Sequence, residues 1–186
     1  MEPRAAIMSA CGKMLALAMA AALLSGCIGL EAFLGPKDPA PTGTVCRIIT
    51  TWAQQVAYTP DPAHGGAETA GLAGRLYLFG PEIGFPLVGD GTLTVDLYDA
   101  RPEVNGGQPL MLEQWRFDRD TLKRLLKKDT IGWGYTLFLP WGTFKPEINR
   151  VLLKVRYDPA KGTPLFSDPS ALMLPKAAAL GRPAVK

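Results

Sequence analysis

The chain offers few of the side chains that most enzymes use as nucleophiles, bases or metal ligands. His64 is the only histidine, and its setting, Asp-Pro-Ala-His-Gly-Gly, is typical of a solvated loop. No His-Glu-x-x-His motif or usual Ser-His-Asp arrangement can be built from it. Cys46 lies on the apparent core face of the first predicted strand, so we expect a buried small side chain and not a nucleophile. With no zinc-type cluster or glycine-rich phosphate loop in the sequence, no cofactor and no metal are expected.

Carboxylates need separate consideration, because a pair of them can hydrolyse glycosides without histidine. Glu113, within Met-Leu-Glu-Gln-Trp, shares a predicted strand face with Trp115 and Phe117. It could serve a hydrolase subunit if a concave pocket held a second carboxylate about 5 to 9.5 Å away. Otherwise it is a rim carboxylate paired with an arginine. Three aspartates near strand ends could supply oxygens to calcium, but they do not match an EF-hand loop: Asp90, Asp96 and Asp99.

A group of aromatic residues in the second half of the chain could form a binding surface. Trp133 stands in Gly-Trp-Gly-Tyr, Trp141 stands in Pro-Trp-Gly, and Phe144 follows three residues later. Glycine-flanked rings in loops could be exposed, as in sandwiches that bind sugars, and these three residues are the predicted ligand-binding set. In the alternative, Trp133 belongs to an alternating core face and Trp141 covers the end of the sandwich.

The N-terminal residues combine the parts of a secretory signal peptide. Arg4 and Lys13 precede the apolar run Met14–Leu24, which is too short to span a bilayer. The run ends in Leu24-Ser25-Gly26-Cys27, which resembles the lipobox of bacterial lipoproteins. The resemblance implies that residues 1–26 are removed, that the Cys27 thiol receives a diacylglyceryl group, and that the new α-amine is acylated, for example with palmitate. Ile28 in place of Asp favours, by resemblance to enterobacterial sorting, the outer membrane with the domain facing the periplasm.

Two alternatives stay open for this segment. Residues 14–34 could form an uncleaved anchor, although Ser25, Gly26, Gly29 and Glu31 interrupt them. A plain secretory signal could be cleaved after Ala18-Met19-Ala20, although that site lies inside the apolar run. Either alternative would leave Cys27 without a lipid.

Cleavage before Cys27 would leave a nearly neutral protein. The chain carries 20 basic and 17 acidic residues, and residues 1–26 account for two of the basic and one of the acidic residues, so the mature net charge is near +2. Proteins that bind nucleic acid carry clustered charge along one face, so we expect no nucleic-acid partner. Removal of Cys11 and lipidation of Cys27 would leave Cys46 as the only thiol, which excludes an intramolecular disulfide.

Glycine and proline divide the mature chain into three parts. Residues 27–44 comprise the lipidated cysteine and a tether, because the prolines and glycines between Gly35 and Gly43 favour extended conformations. Residues 45–174 are long enough for one domain with a single core. Residues 175–186 show no apolar periodicity and are expected to form a flexible tail.

Short segments with alternating apolar and polar residues fill the predicted domain. Thr92–Tyr98 is the clearest, since Leu93, Val95 and Leu97 alternate with polar residues. The one predicted helix, Asp118–Lys128, is capped by Asp118 or Asp120. Its basic residues form a solvated face that could also contact anionic lipid headgroups. The seven predicted strands are Val45–Tyr58, Leu72–Phe79, Thr92–Tyr98, Leu110–Phe117, Trp133–Leu139, Ile148–Tyr157 and Thr163–Leu174.

These elements predict a mainly β protein, a single antiparallel β-sandwich of about seven strands with one short helix inserted. The pattern is similar to immunoglobulin-like and transthyretin-like sandwiches only in general terms, because the Cys-Trp-Cys spacing of true immunoglobulin domains is missing.

The sequence therefore predicts a lipid-anchored protein of the bacterial cell envelope that acts as a non-catalytic binding or structural module. Its expected partners are the membrane, through the lipid, and an envelope protein or polysaccharide. The first alternative is a carbohydrate-binding or envelope-polymer-binding lipoprotein that uses Trp133, Trp141 and Phe144. The second is a hydrolase subunit centred on Glu113.

Overall fold

The computed structural model describes residues 39–61, 65–82 and 84–175. The predicted lipidation site Cys27, His64 and residues 176–186 of the expected tail lie outside the described residues. Contacts divide the chain into Met1–Pro39 and Ala40–Lys186, and every described helix and strand lies in the second unit. No helix within the described ranges combines the length and apolar character needed to cross a bilayer.

Two antiparallel sheets enclose one apolar core, which confirms the predicted mainly β sandwich. Sheet I has the order β1-β2-β6-β5, and sheet II has the order β4-β3-β7, with β8 and β9 both paired to β7. Sheet I contains β1 (Arg47–Asp61), β2 (Ala67–Phe79), β5 (Leu126–Lys128) and β6 (Trp133–Pro140). Sheet II contains β3 (Thr92–Asp99), β4 (Leu110–Phe117), β7 (Arg150–Asp158), β8 (Leu165–Phe166) and β9 (Ser170–Met173). A short 3₁₀ turn, Asn105–Gly107, precedes β4. Helix α1 (Arg119–Leu125) follows β4.

The central strands build the core through strict alternation. In β3, Leu93, Val95 and Leu97 are fully buried, and the cross-strand partner of Val95 on β7 is Val155. Burial of apolar surface is the main force that holds the two sheets together. The same alternation fixes which residues lie on the outer faces of the sheets. Further buried apolar residues that face the core from the central strands are Leu72, Leu76 and Leu78 on β2, Tyr135, Leu137 and Leu139 on β6, and Val151, Leu153 and Tyr157 on β7.

The helix begins where the sequence predicts it, but it ends at Leu125, three residues before the predicted end. The Asp118 carboxylate accepts a hydrogen bond from the Thr121 amide at 2.7 Å, which makes Asp118 the N-cap. The prediction that the helix continues to Lys128 is wrong, because Leu126 has extended backbone angles and begins β5. The backbone of Leu126 pairs with Tyr135 on β6, so hydrogen bonds to the sheet replace those of a further helical turn.

Two further boundaries differ from the prediction. The expected loop from Thr59 to Gly71 is mostly strand, because β1 and β2 pair as far as Asp61 and Ala67. The expected seventh strand is split into β8 and β9 on either side of residues 167–169, where Pro169 has no amide hydrogen for a ladder. With β5 added, the described residues contain nine strands instead of about seven.

Aromatic rings cover glycines on neighbouring strands of sheet I. The Trp52 ring lies over its cross-strand partner Gly74, where a Cβ atom would stand 2.7 Å from Trp52 Cζ3. The Tyr77 ring covers Gly134 in the same way, with a Cβ atom 2.6 Å from Tyr77 Cε1. These glycines are required because a side chain would displace a ring that packs flat on the sheet.

Candidate functional site

Trp141 is part of the core and not an exposed platform. Its side chain is 2% exposed, its amide donates to the Ala70 carbonyl at 2.8 Å, and its indole N–H donates to Thr143 Oγ1 at 3.1 Å. The expectation that its glycine-flanked loop exposes the ring is therefore wrong. The alternative, that Trp141 covers the end of the sandwich, is confirmed.

The other two residues of the predicted aromatic set are half-buried. Phe144 packs against Trp141 edge to face, with ring centroids 5.1 Å apart, and both rings belong to the packing around the core. Trp133 begins β6 at the pair with Lys128, at the other end of that strand from Trp141. Trp133 and Trp141 therefore do not form one flat surface.

Glu113 has a structural role at the edge of sheet II. One carboxylate oxygen, Oε1, accepts a hydrogen bond from the Thr143 amide at 2.6 Å, which ties β4 to the turn after Trp141. The expected arginine partner is replaced by this backbone amide, and Glu113 lines neither of the two cavities described below. The turn that Glu113 holds is the one that positions the Trp141 side chain.

Cys46 is exposed, so the prediction of a buried thiol is wrong. The alternation was correct, since Ile48 on the same face is 5% exposed. Cys46, however, lies one residue before β1, at the rim, where its amide donates to the Phe79 carbonyl at 2.8 Å. Its exposed thiol lies 3.9 Å from the Thr44 carbonyl oxygen.

The three aspartates considered for calcium are separate and each has its own partner. Asp96 accepts from Gln114 Nε2 at 2.7 Å. Asp99 forms a two-oxygen ion pair with Arg101, whose Nη2 lies 2.7 Å from Oδ2. Within the described part of the chain, no three potential ligands of the His, Cys, Asp and Glu types come together as a metal site.

Asp90 belongs to a turn that two buried tyrosines hold. The Gly89 amide donates to the Tyr135 hydroxyl at 2.8 Å, and the Asp90 and Gly91 amides donate to the Tyr157 hydroxyl at 2.9 and 3.0 Å. Burial raises the pKa of Tyr157 to about 12. Hydrogen bonds, first of all from the Ala160 amide, lower the pKa of Asp90. The turn is therefore a structural joint that contacts both sheets.

Two shallow cavities lie on the described part of the domain close to the residues discussed above. A cavity of about 470 Å³ lies where the chain joins the domain, and Cys46, Asp90 and Lys161 all line it. A second hollow of about 410 Å³ lies over sheet I between Trp52, Ala73 and Thr136. Next to it, Arg75 binds Asp129 Oδ2 at 2.8 Å and Tyr77 donates to the same oxygen at 2.6 Å. The Tyr77 bond, first among several causes, lowers the pKa of Asp129.

A continuous row of apolar side chains crosses the outer face of sheet II. Met111, Tyr98, Leu152 and Ala171 are cross-strand partners in one row over β4, β3, β7 and β9. Met111 is 49% exposed, Ala171 is exposed, and the two central side chains are half-buried. Met173, on the next outward position of β9, is 61% exposed. We call this set the apolar row.

Basic side chains border the apolar row. The Lys154 ammonium lies 5.0 Å from the centre of the Tyr98 ring, and Arg150 is the cross-strand partner of Met173. Farther along the same face, Arg116 and Arg156 flank Thr94. The acidic groups of this face, Asp96 and Asp158, already have partners in Gln114 and Arg156. The face therefore combines apolar area with a basic border.

Sequence reasoning missed this row because it concentrated on aromatic residues in loops. A signal was present in β7, where Leu152 interrupts the polar side of an otherwise alternating strand between Arg150 and Lys154. Its partners across the sheet could not be identified without the register.

A scan of protein-family models and a search of curated proteins both found no match for this chain.

Proposed function

We propose that this chain is a lipid-anchored protein of a bacterial cell envelope, and that its sandwich binds a partner protein without catalysing a reaction. The anchor is the part that Leu24-Ser25-Gly26-Cys27 supports. The partner surface is the apolar row on sheet II. Acylation at Cys27 would hold the domain at a membrane, where a partner in the same compartment could be bound.

The observation that carries the binding role is the register of the apolar row. Four strands bring Met111, Tyr98, Leu152 and Ala171 side by side, although the outer face of an antiparallel sheet is normally polar. Contiguous exposed apolar residues with a polar border are typical of protein interaction sites. The basic border favours a partner with acidic groups around an apolar centre.

The placement of the predicted reactive groups favours binding over catalysis. Glu113 holds a backbone turn, and Asp99 is bound by Arg101. The burial of Trp141 removes the stacked platform on which the carbohydrate alternative depended, so a protein partner is the better proposal.

Site-specific photo-crosslinking in intact envelopes tests the proposal. A photoreactive residue at the exposed Ala171 position should give a discrete high-mass adduct. The matched control is Thr136, which is exposed on the outer face of sheet I, and it should give none. Met111→Lys should abolish the Ala171 adduct, because it places a charge in the apolar contact. Equal adducts from the two positions, or an adduct that survives Met111→Lys, would contradict the proposed surface.

A further inference from the structure

The end of the sandwich where the chain joins the domain carries the most exposed apolar side chains of the described residues. Phe85 is 78% exposed and Phe166 is 71% exposed, and Ile131 at the same end is 52% exposed. Single exposed apolar side chains are ordinary on a protein surface, but a group of them at one end is typical of a region that another surface covers. Their position relative to the joining segment indicates what that surface is.

Both phenylalanines lie near the segment that leads into β1. On one side, the Val88 amide donates to the Pro41 carbonyl at 2.7 Å, which holds residues 84–88 beside that segment. On the other side, Leu165 lines the same cavity as Gly43 and Cys46, and Phe166, the next residue, pairs with Arg156 and faces outward from sheet II near this end. Phe85 therefore lies beside the place where the lipid-bearing part of the chain would leave the domain, and Phe166 lies on the adjoining outer face of sheet II.

Rigid contacts support the loop positions at this end. Asp129 Oδ1 accepts the amides of Ile131 and Gly132 at 2.9 and 3.1 Å. A Cβ atom on Gly132 would lie 2.7 Å from Pro86 Cδ, so the loops that carry Ile131 and Phe85 touch. Apolar side chains on supported loops can enter an apolar surface with little additional loss of conformational entropy.

We propose that this end of the domain docks on the lipid bilayer that holds the anchor, with Phe85 and Phe166 inserted among the headgroups. The proposal rests on the lipid anchor of the proposed function and adds an orientation to it. Residues 28–40 can reach about 45 Å when extended, so the anchor alone would let the domain stand away from the membrane. Contact must come from the surface of the domain itself.

Apolar burial is the main attraction in this proposal, and basic groups at the same end add to it. Arg47 and Lys161 are balanced by Glu82 and Asp90, and Arg156 beside Phe166 is paired with Asp158. Arg119, whose charge acts on Asp90, and Lys128 at the pair with Trp133 add positive charge. Docking on anionic vesicles should therefore weaken in high salt but persist, because insertion of the rings does not depend on ionic strength.

Cys46 provides the probe, because it is exposed at this end and would be the only thiol of the lipidated protein. Full-length lipidated protein, labelled there with a fluorophore, is reconstituted into vesicles of phosphatidylethanolamine and phosphatidylglycerol that contain a headgroup nitroxide quencher. Strong quenching at Cys46 is expected. A reference label at Glu68→Cys in a Cys46→Ser background should be quenched little, because Glu68 pairs with Pro60 near the far end of β1.

Removal of the rings should release the domain. Phe85→Ser and Phe166→Ser should each lower the ratio of docked to undocked protein about tenfold, and both should fold normally because the side chains are exposed. The matched control, Met111→Ser at the other end, should leave the quenching unchanged. Equal quenching at positions 46 and 68, or unchanged quenching in the phenylalanine variants, overturns docking alone. An uncleaved precursor with three reactive thiols overturns the anchor and docking together.

Discussion

At the scale of single residues, the end of the sandwich near β4 depends on a few side chains that bind loops to strands. Trp141 fills the space between the sheets, and its Thr143 neighbour is held by Glu113 through the 2.6 Å hydrogen bond. The packing of Phe144 on the indole completes this end. Loss of the indole would therefore leave a cavity between the sheets.

Trp141→Ala should lower the free energy of unfolding by about 3–5 kcal/mol, the usual cost when a buried tryptophan is truncated. Urea denaturation monitored by circular dichroism measures this change. Phe166→Ala is the matched control and should stay within about 0.5 kcal/mol of the wild type, because its ring is exposed. Comparable losses in both variants would show that Trp141 is not a core residue.

The Asp99–Arg101 pair makes the stability depend on pH. Hydrogen bonds from the Arg101 side chain are the main reason that the pKa of Asp99 lies below its ordinary value. A carboxylate with a lower pKa in the folded state stabilises the fold above its unfolded pKa of about 3.9, and this contribution is lost as the pH falls through the lower folded pKa.

Asp99→Asn should therefore flatten the decline of the unfolding free energy over roughly pH 5 to pH 2. It should also reduce stability at neutral pH, because Arg101 loses its negatively charged partner. Denaturant titrations at several pH values measure both effects. Asp168→Asn, at an exposed position, serves as the control and should keep the slope of the wild type. An unchanged slope in Asp99→Asn would mean that other carboxylates account for the acid sensitivity.

At the scale of elements, the regular strands could be predicted because their signal is local. The alternation in β3 and β7 is visible in ten residues, and both strands lie almost where expected. The end of the helix could not be predicted, since Leu125-Leu126 fits a helical stripe and only pairing with β6 makes Leu126 a strand residue. The burial of residues outside the strands could not be predicted either, because the exposure of Cys46 and the burial of Trp141 depend on segments distant in the sequence.

The glycines covered by rings give a test of sheet I. Gly74→Ala should lower stability by roughly 1–3 kcal/mol, the usual cost of overpacking, because the new methyl group would lie 2.7 Å from Trp52 Cζ3 and 2.8 Å from the Thr51 carbonyl oxygen. Thermal unfolding measures the effect. Gly142→Ala is the control, since its Cβ would meet only Glu113 Oε1 at 3.6 Å. Equal melting temperatures for the two variants would mean that the Trp52 ring can move aside freely.

At the scale of the whole molecule, the proposals give the domain two binding surfaces, one for the membrane and one for a partner protein. Their common requirement is the lipid. Cys27→Ser removes the only thiol that can take it in the lipobox motif, so the protein should accumulate as an unprocessed precursor. Mass spectrometry of the membrane fraction checks this outcome, with Cys46→Ser as the matched control that should be processed normally. Recovery of a cleaved, membrane-bound product from Cys27→Ser would contradict the anchor.

The turn at residues 89–91 has a mechanical consequence for a domain held at one end and bound at the other. Tension on the chain at Pro41 would reach the sandwich through its hydrogen bond with Val88, immediately before that turn. Since Tyr135 comes from sheet I and Tyr157 from sheet II, their hydroxyls would distribute the load over both sheets. Part of the pull would then reach both sheets before it acts on the edge strand β1.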